Sequence, residues 1–338
     1  MNVARLLDLG FERAGDAPGA TEVRRFGPRA VLVTGGRPAM GTLVSVSALG
    51  RTQSRLEEAI GRAFDEMDRL IGIFSRFESA SALSALNGAG RLDHPPPELA
   101  YVVERALEYH AITGGAFDVT VEPLVNLFRE RLGGVLPTFP TDAEMLETLR
   151  LVGATHVTAS RREIRFGKAN MGITLDGIAK GYIVDEMADA LAGRGVGNFL
   201  INAGGDIRTA GAGPEGRPWT IGVYDPGAPD AFPDAVHLTG AAVATSGGYE
   251  ICFDPERRFH HILDPETGRS PNASASVSVI APTAAAADAL ATAVFVMAPD
   301  QGVALVNALA GCECLIIDHD GRRRRSAGWR SAIPDTPE

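Results

Sequence analysis

The chain has 338 residues, of which 45% are apolar, 22% charged and 6% aromatic, the make-up of a globular protein large enough to bury a sizeable core. Its formal net charge of −10 argues against sequence-independent binding to nucleic acid or to an anionic membrane. Three cysteines, Cys252, Cys312 and Cys314, are too few for a disulfide framework and have no metal-site spacing with histidine.

Residues 1–30 are polar and charged and read as an N-terminal extension without the apolar core of a secretory signal. Arg24-Arg25 precedes Gly27-Pro28-Arg29, a poor twin-arginine signal. As written the chain is expected to be cytoplasmic; a periplasmic location would need an upstream start. No stretch reaches the roughly 18 apolar residues of a membrane span. Residues 31–49 alternate as two strands around Met40-Gly41-Thr42. Residues 54–73 place Leu56, Ile60, Ala63, Met67 and Leu70 at helical spacing. A short helix over 79–87 has Ser79 or Ser81 as N-cap. Pro95-Pro96-Pro97 opens a helix over 98–113 that Gly114-Gly115 closes. AFDVTVEPLVNLF follows, then a surface insertion at 129–142, a helix at 143–151 and a hairpin at 155–166.

The stretch from Gly172 to Asp206 organises the rest. Met171 to Leu175 fits the end of a strand, and Asp176, Gly177 and Gly181 punctuate a turn that opens a helix. Ile183, Val184, Met187, Ala188 and Leu191 give that helix its apolar face. Phe199 to Ile201 reads as a buried strand ending in Asn202-Ala203-Gly204-Gly205-Asp206. Glycine-rich strand ends on both sides of a helix let backbone N–H groups approach a bulky anion such as a nucleotide phosphate. Beyond it, Trp219 to Asp225 is a strand and Val236 to Ser246 a strand or hairpin. Residues 259–271 form a turn-rich loop around Asp264-Pro265 and Thr267-Gly268. Ala275 to Ala281 is a strand, 283–297 an alanine-rich helix, 299–310 a helix and 313–318 a strand that places Cys312 and Cys314 on one face. The tail at 321–338 is charged and expected to fray. With no repeat and no long linker, residues 31–320 form one unit or two interlocked subdomains, of α+β class with mixed or antiparallel sheets packed with helices.

Met40-Gly41-Thr42, FSRFESASALSALN (74–87), GGAFDVTVEPLVNLF (114–128), GIAKGYIVD (177–185), INAGGDI (201–207), AVATSGGYE (242–250), HHILDPETGRSP (260–271) and VIAPTAAAADALATAVFVM (279–297) together resemble the ApbE family, in the family's order. The form ITLDGIAKG is similar to the branch that includes NosX. The resemblance implies a T-fold-like FAD:protein FMN transferase, which attaches FMN from FAD to a threonine or serine of a target protein and releases AMP. The acceptor it implies carries a Ser/Thr-Gly-Ala-Thr-like segment. Such phosphoryl transfer asks for a divalent cation, donors around the pyrophosphate and a proton acceptor.

Asp288 and Thr292, four apart on a helix, place two oxygens on one face and suit Mg²⁺. The resemblance adds the backbone at Gly177 as a third ligand. It also implies flavin or FAD contacts at Met40, Phe77, Ala116, Phe117, Asp118, Thr174, Lys180 and Ile262. Phe77 is suited to stacking on the isoalloxazine ring, Thr174 stands where many relatives carry Asp, and Lys180 offers a point charge for the pyrophosphate. His261 matches the family's histidine, whereas His260 has no such match. It is the candidate proton acceptor, with Asp264 to orient it or to act as the base itself. Glu122, Asn126, Asn202 and Asp206 lie in matching blocks but read equally well as turn caps. Two alternatives remain at this level: an FAD pyrophosphatase, and an FAD-binding accessory protein without catalysis.

Overall fold

The computed structural model describes residues 21–27, 30–132, 138–224, 232, 234–249, 252–254 and 259–333. Its strands are β1 (Thr21–Arg25), β2 (Val31–Ala39), β3 (Thr42–Gly50), β4 (Arg91–Asp93), β5 (Val157–Ala159), β6 (Glu163–Phe166) and β7 (Phe199–Ala203). Then come β8 (Asp206–Ala210), β9 (Trp219–Val223), β10 (Asp234–Leu238), β11 (Ala242–Gly247), β12 (Ser276–Ala281), β13 (Glu313–Ile317) and β14 (Arg323–Arg325). The helices are α1 (Gln53–Phe74), α2 (Ala82–Ala89), α3 (Pro97–Ile112), α4 (Glu122–Leu132), α5 (Asp142–Leu149), α6 (Ala179–Gly193), α7 (Ala284–Val296) and α8 (Pro299–Asn307). The class is α+β.

Nine strands form one sheet in the order β1-β2-β3-β7-β8-β11-β12-β13-β14, antiparallel at each junction. Side chains alternate across it, as the period of a strand requires. Ala242, Ala244, Val277, Val279, Cys314 and Ile316 face a main core shared with α1, α6 and α7. Val243, Leu315 and Ile317 face the other way, where the β9–β10 ribbon and Trp329 cover them. Cys312 joins Cys314 in the main core, on one face as the sequence predicts. In α1, Leu56, Ala59, Ile60, Ala63, Met67, Leu70 and Phe74 are buried at three- and four-residue steps, the stripe of a helix laid on a sheet. Ten residues of the alanine-rich α7 are buried, because it is wedged between the sheet and α6. A third cluster joins Val121, Leu124, Val125 and Phe128 of the α4 segment to Met145 and Leu263.

Several elements differ from the sequence expectation. Met171 to Leu175 is buried throughout yet belongs to no sheet. Its backbone is instead held by Asn87, whose amide donates to the Ile173 carbonyl and accepts from its N–H, both at 2.9 Å. Val236 to Ser246 is not a hairpin: β10 pairs with β9, and β11 with β8 and β12. Helix α4 continues to Leu132, into the expected insertion, of which residues 133–137 lie outside the described residues. Of the N-terminal extension, residues 1–20 lie outside them too, while Thr21–Arg25 pairs with β2. The tail does not fray through residue 333. Arg323–Arg325 pairs with β13, and the buried Trp329 indole donates to Asp234 at 3.1 Å. The indole buries its large apolar face in the cluster on that side of the sheet, which fixes the tail. Residues 334–338 lie outside the described residues. No helix among the described residues is long and apolar enough to cross a membrane.

Candidate functional site

Segments far apart in the chain line one cleft: Ala116 to Val119, Thr174 to Lys180, Asp206 with Thr245 to Gly247 at sheet ends, His261 to Leu263, and α7. It encloses about 750 Å³ of empty space, open mouth included. Local hydrogen bonds hold the walls. The Thr174 N–H donates to the Val119 carbonyl at 2.8 Å, tying two of the segments together. Arg76 grips the Asp176 carboxylate through Nε and Nη2, at 2.9 and 2.8 Å.

The floor is the crossing of α6 and α7. At Gly181 the helices touch so closely that a Cβ would stand 2.3 Å from the Ala284 carbonyl oxygen, so only glycine fits. The two helices exchange carboxylates across this contact. Asp185 of α6 accepts from the Ala284 and Ala285 N–H groups at 2.8 and 2.9 Å, capping α7, and Asp288 of α7 accepts from the Gly181 N–H at 3.1 Å. Asp288 and Thr292, one turn apart, both line the cleft, and Thr292 Oγ1 lies 3.4 Å from Ser246 Oγ.

Several ionisable groups are buried around it. Lys180 Nζ lies 3.2 Å from Asp206 Oδ2, and burial raises the Asp206 carboxyl above its ordinary value against the pull of that ammonium. Glu122 is pushed up to about 7, chiefly by burial, although Arg76 Nη1 is 3.6 Å away. Burial works to raise Asp118 as well. There the hydrogen bonds from His110, Thr120 and Ala154 win, and the carboxyl is held low. Bonding to Asp118 holds His110 above its usual value.

Of the residues expected from sequence, Ala116, Phe117, Asp118, Thr174, Gly177, Lys180, His261, Ile262, Asp288 and Thr292 converge on this cleft. Three expected residues do not line it. Met40 is at the tip of the β2–β3 hairpin, in a left-handed conformation (φ 51°), beside the Gly204-Gly205 turn to which the register of β3 on β7 brings it. Phe77 is 74% exposed, with the guanidinium carbons of Arg76 and Arg129 4.6 and 5.4 Å from its ring centre. Asp264 turns its carboxylate to its own loop, accepting from the Glu266 N–H and the Thr267 hydroxyl at 2.9 and 2.8 Å. This leaves His261 as the cleft's histidine. His260 is buried, its Nε2 3.1 Å from the Pro271 carbonyl oxygen and its ring edge-on to Phe295. Burial lowers its pKa.

Among the described residues no group of three or more His, Cys, Asp or Glu side chains is placed to hold a metal. The expected set has one carboxylate, Asp288, one hydroxyl, Thr292, and the Gly177 backbone. A Cβ on Gly177 would lie 2.9 Å from Thr292 Oγ1. These are hard oxygen donors, few enough to leave room for water and phosphate, and so they fit Mg²⁺.

Sequence reasoning left out two contributors. Asp206 reads as a turn cap in INAGGDI, but Asn202 is the cap, accepting from the Gly205 N–H at 3.0 Å, and Asp206 lines the cleft. Asp185 has the helix-start motif GYIVD as its only signal, and its partner α7 lies about a hundred residues away in sequence.

The model of the ApbE family matches residues 40–316. An FAD:protein FMN transferase of Vibrio cholerae is 31% identical, over 80% of this chain and 83% of the relative. One of Treponema pallidum is also 31% identical, over 93% and 90%. Among solved structures, the ApbE protein from Thermotoga maritima superposes with a TM-score of 0.79 at 31% identity, covering 88% of this chain and 97% of that one. The apo form of the flavinyl transferase ApbE of Pseudomonas stutzeri gives 0.77 at 26% identity, covering 91% and 95%.

Proposed function

The chain belongs to the ApbE family, and on that premise we propose that it transfers FMN from FAD to a threonine or serine hydroxyl of a target protein. The name shared by its relatives, FAD:protein FMN transferase, supports flavin transfer. The observation that carries the chemistry is the convergence of Gly177, Lys180, His261, Asp288 and Thr292, from three parts of the chain, on one cleft. In the reaction the acceptor oxygen bonds to the FMN phosphorus, and the bond from that phosphorus to the bridging oxygen breaks. AMP leaves with the bridging oxygen, and the hydroxyl proton passes to a base. His261 is the residue of this cleft suited to take that proton, since an imidazole titrates near neutrality. Lys180 sets a cation where the diphosphate would lie. Asp288, Thr292 and the Gly177 backbone would hold Mg²⁺, which when bound offsets phosphate charge as the leaving group departs. Phe77, 74% exposed and next in sequence to the Arg76 that grips Asp176 of the cleft, is the ring assigned to the flavin.

The acceptor we propose is a Ser/Thr-Gly-Ala-Thr-like segment. The test incubates the protein with FAD, Mg²⁺ and an acceptor domain carrying it, followed by denaturing electrophoresis. A flavin-fluorescent acceptor band is expected. Free FMN and AMP without that band would make the protein a pyrophosphatase, and intact bound FAD would make it a binding protein.

A further inference from the structure

Asp206 opens β8 directly after the Gly204-Gly205 turn, and only 2% of its surface is exposed. The Lys180 ammonium, 3.2 Å from Asp206 Oδ2, is the counter-charge of this otherwise unsatisfied carboxylate oxygen. A carboxylate this deep keeps its charge only beside a cation. The support beneath it is rigid. Both glycines of the turn have positive φ, and a Cβ on Gly204 would stand 2.4 Å from Thr42 Oγ1, so the hairpin tip is seated against the neighbouring strand. A lysine ammonium, by contrast, rides on a flexible four-carbon stem and has no fixed place of its own. Lys180 stands in the first turn of α6, with both its own side chain and that of Asp206 on the cleft wall.

We infer that Asp206 is a positioning residue that holds the Lys180 ammonium where a phosphate-bearing ligand enters the cleft. The inference rests on the reading of this cleft as an FAD site. Asp206 acts on the ligand's phosphates through Lys180 and leaves the flavin ring untouched. Its loss therefore separates two ligands that share the ring: FAD, which carries a diphosphate, and riboflavin, which carries none.

The experiment measures the dissociation constants of both ligands, by flavin fluorescence, for the full chain and for Asp206→Asn, Lys180→Met and the double variant. Asp206→Asn keeps the shape and removes the charge. It is expected to weaken FAD by about tenfold, the worth of a contact to a charged group, and to leave riboflavin within about twofold. The double variant should bind FAD no more weakly than Lys180→Met, because both changes remove one contact. Asp206→Glu, which keeps the charge but moves it by one methylene, is expected to show the same selective loss. Equal weakening of FAD and riboflavin, unchanged FAD affinity, or additive losses in the double variant would each overturn the inference. Wild-type protein that binds riboflavin and FAD equally well, with Lys180→Met without effect, would overturn the role of Lys180 first. Wild-type protein that binds neither flavin would overturn the functional reading on which both depend.

Discussion

Adding one methyl group at Gly177 tests the floor of the cleft. The new Cβ would lie 2.9 Å from Thr292 Oγ1 and 3.3 Å from both Thr292 Cγ2 and Phe117 Cε2. Two effects oppose each other in Gly177→Ala. The backbone here is not left-handed, so the loss of unfolded-state freedom favours alanine by about 0.4–1 kcal/mol. Against this, overpacking costs about 1–3 kcal/mol. Thr292 yields poorly, being β-branched, stiff at χ1 and 3.4 Å from Ser246, and Phe117 is buried edge-on against Tyr109. The net is a destabilisation of about 1–2 kcal/mol. For 338 residues, with an unfolding entropy of about 0.7 kcal/mol/K, the melting temperature falls by only about 1–3 °C. The transfer rate should suffer far more, because a displacement of about 1 Å in a reacting constellation costs on the order of 10²-fold. The assay pairs thermal melting with FMN transfer to an acceptor domain in saturating Mg²⁺. A variant that melts lower but transfers at the wild-type rate would refute the reasoning, since the Gly177–Thr292 contact would then be packing alone.

The two adjacent histidines should separate cleanly: His261→Ala lowers the transfer rate by about 10²-fold with FAD affinity kept. His260→Ala instead lowers stability by about 2–3 kcal/mol, because it empties a buried site against Phe295, and comparable rate losses in the two variants would remove His261 from the chemistry. Glu122, raised from 4.5 to about 7 in the folded protein, keeps its proton between those values while the unfolded chain loses it. Stability from this group is thus complete below about pH 4.5 and declines by about 3 kcal/mol as pH rises through 7. Glu122→Gln should flatten that decline in denaturant titrations at pH 5 and pH 8, and an equally steep loss in the variant would sink the assignment. Phe77→Ala should change stability by less than about 1 kcal/mol, given its exposure, yet weaken FAD binding by about 1–3 kcal/mol. Unchanged affinity would leave the ring without a part in flavin binding.

Most helices and strands were legible because their signals are local. The stripe of α1, the Pro-opened α3 and the alternating β12 each announce a period and a boundary within about 20 residues. Met171 to Leu175 misled because an apolar run reports burial and not pairing, and here the partner is the Asn87 amide. The tail misled for the opposite reason: its arginines hide one tryptophan whose burial holds residues 323–333 against the sheet.

The residue types of the site were likewise legible from motifs, since a hydroxyl four positions after a carboxylate, or a lysine between glycines, is fixed by spacing. Which of them meet was decided by the tertiary structure. The sequence alone determined that α7 carries Asp288 and Thr292 on one face, because helical periodicity admits no other arrangement. It did not determine that Gly181 lets α6 lie against Ala284, that Asp185 caps α7, or that Asp264 turns away from the cleft. Nor did it separate Asn202, the turn cap, from Asp206, the buried partner of Lys180. The helix crossing, the Asp185 cap and the Lys180–Asp206 pair depend on contacts between segments tens to a hundred residues apart, whereas Asp264 and Asn202 are claimed by their own loops. A short polar residue in a glycine-rich turn looks the same in sequence whether its neighbour in space is its own backbone or a distant charge.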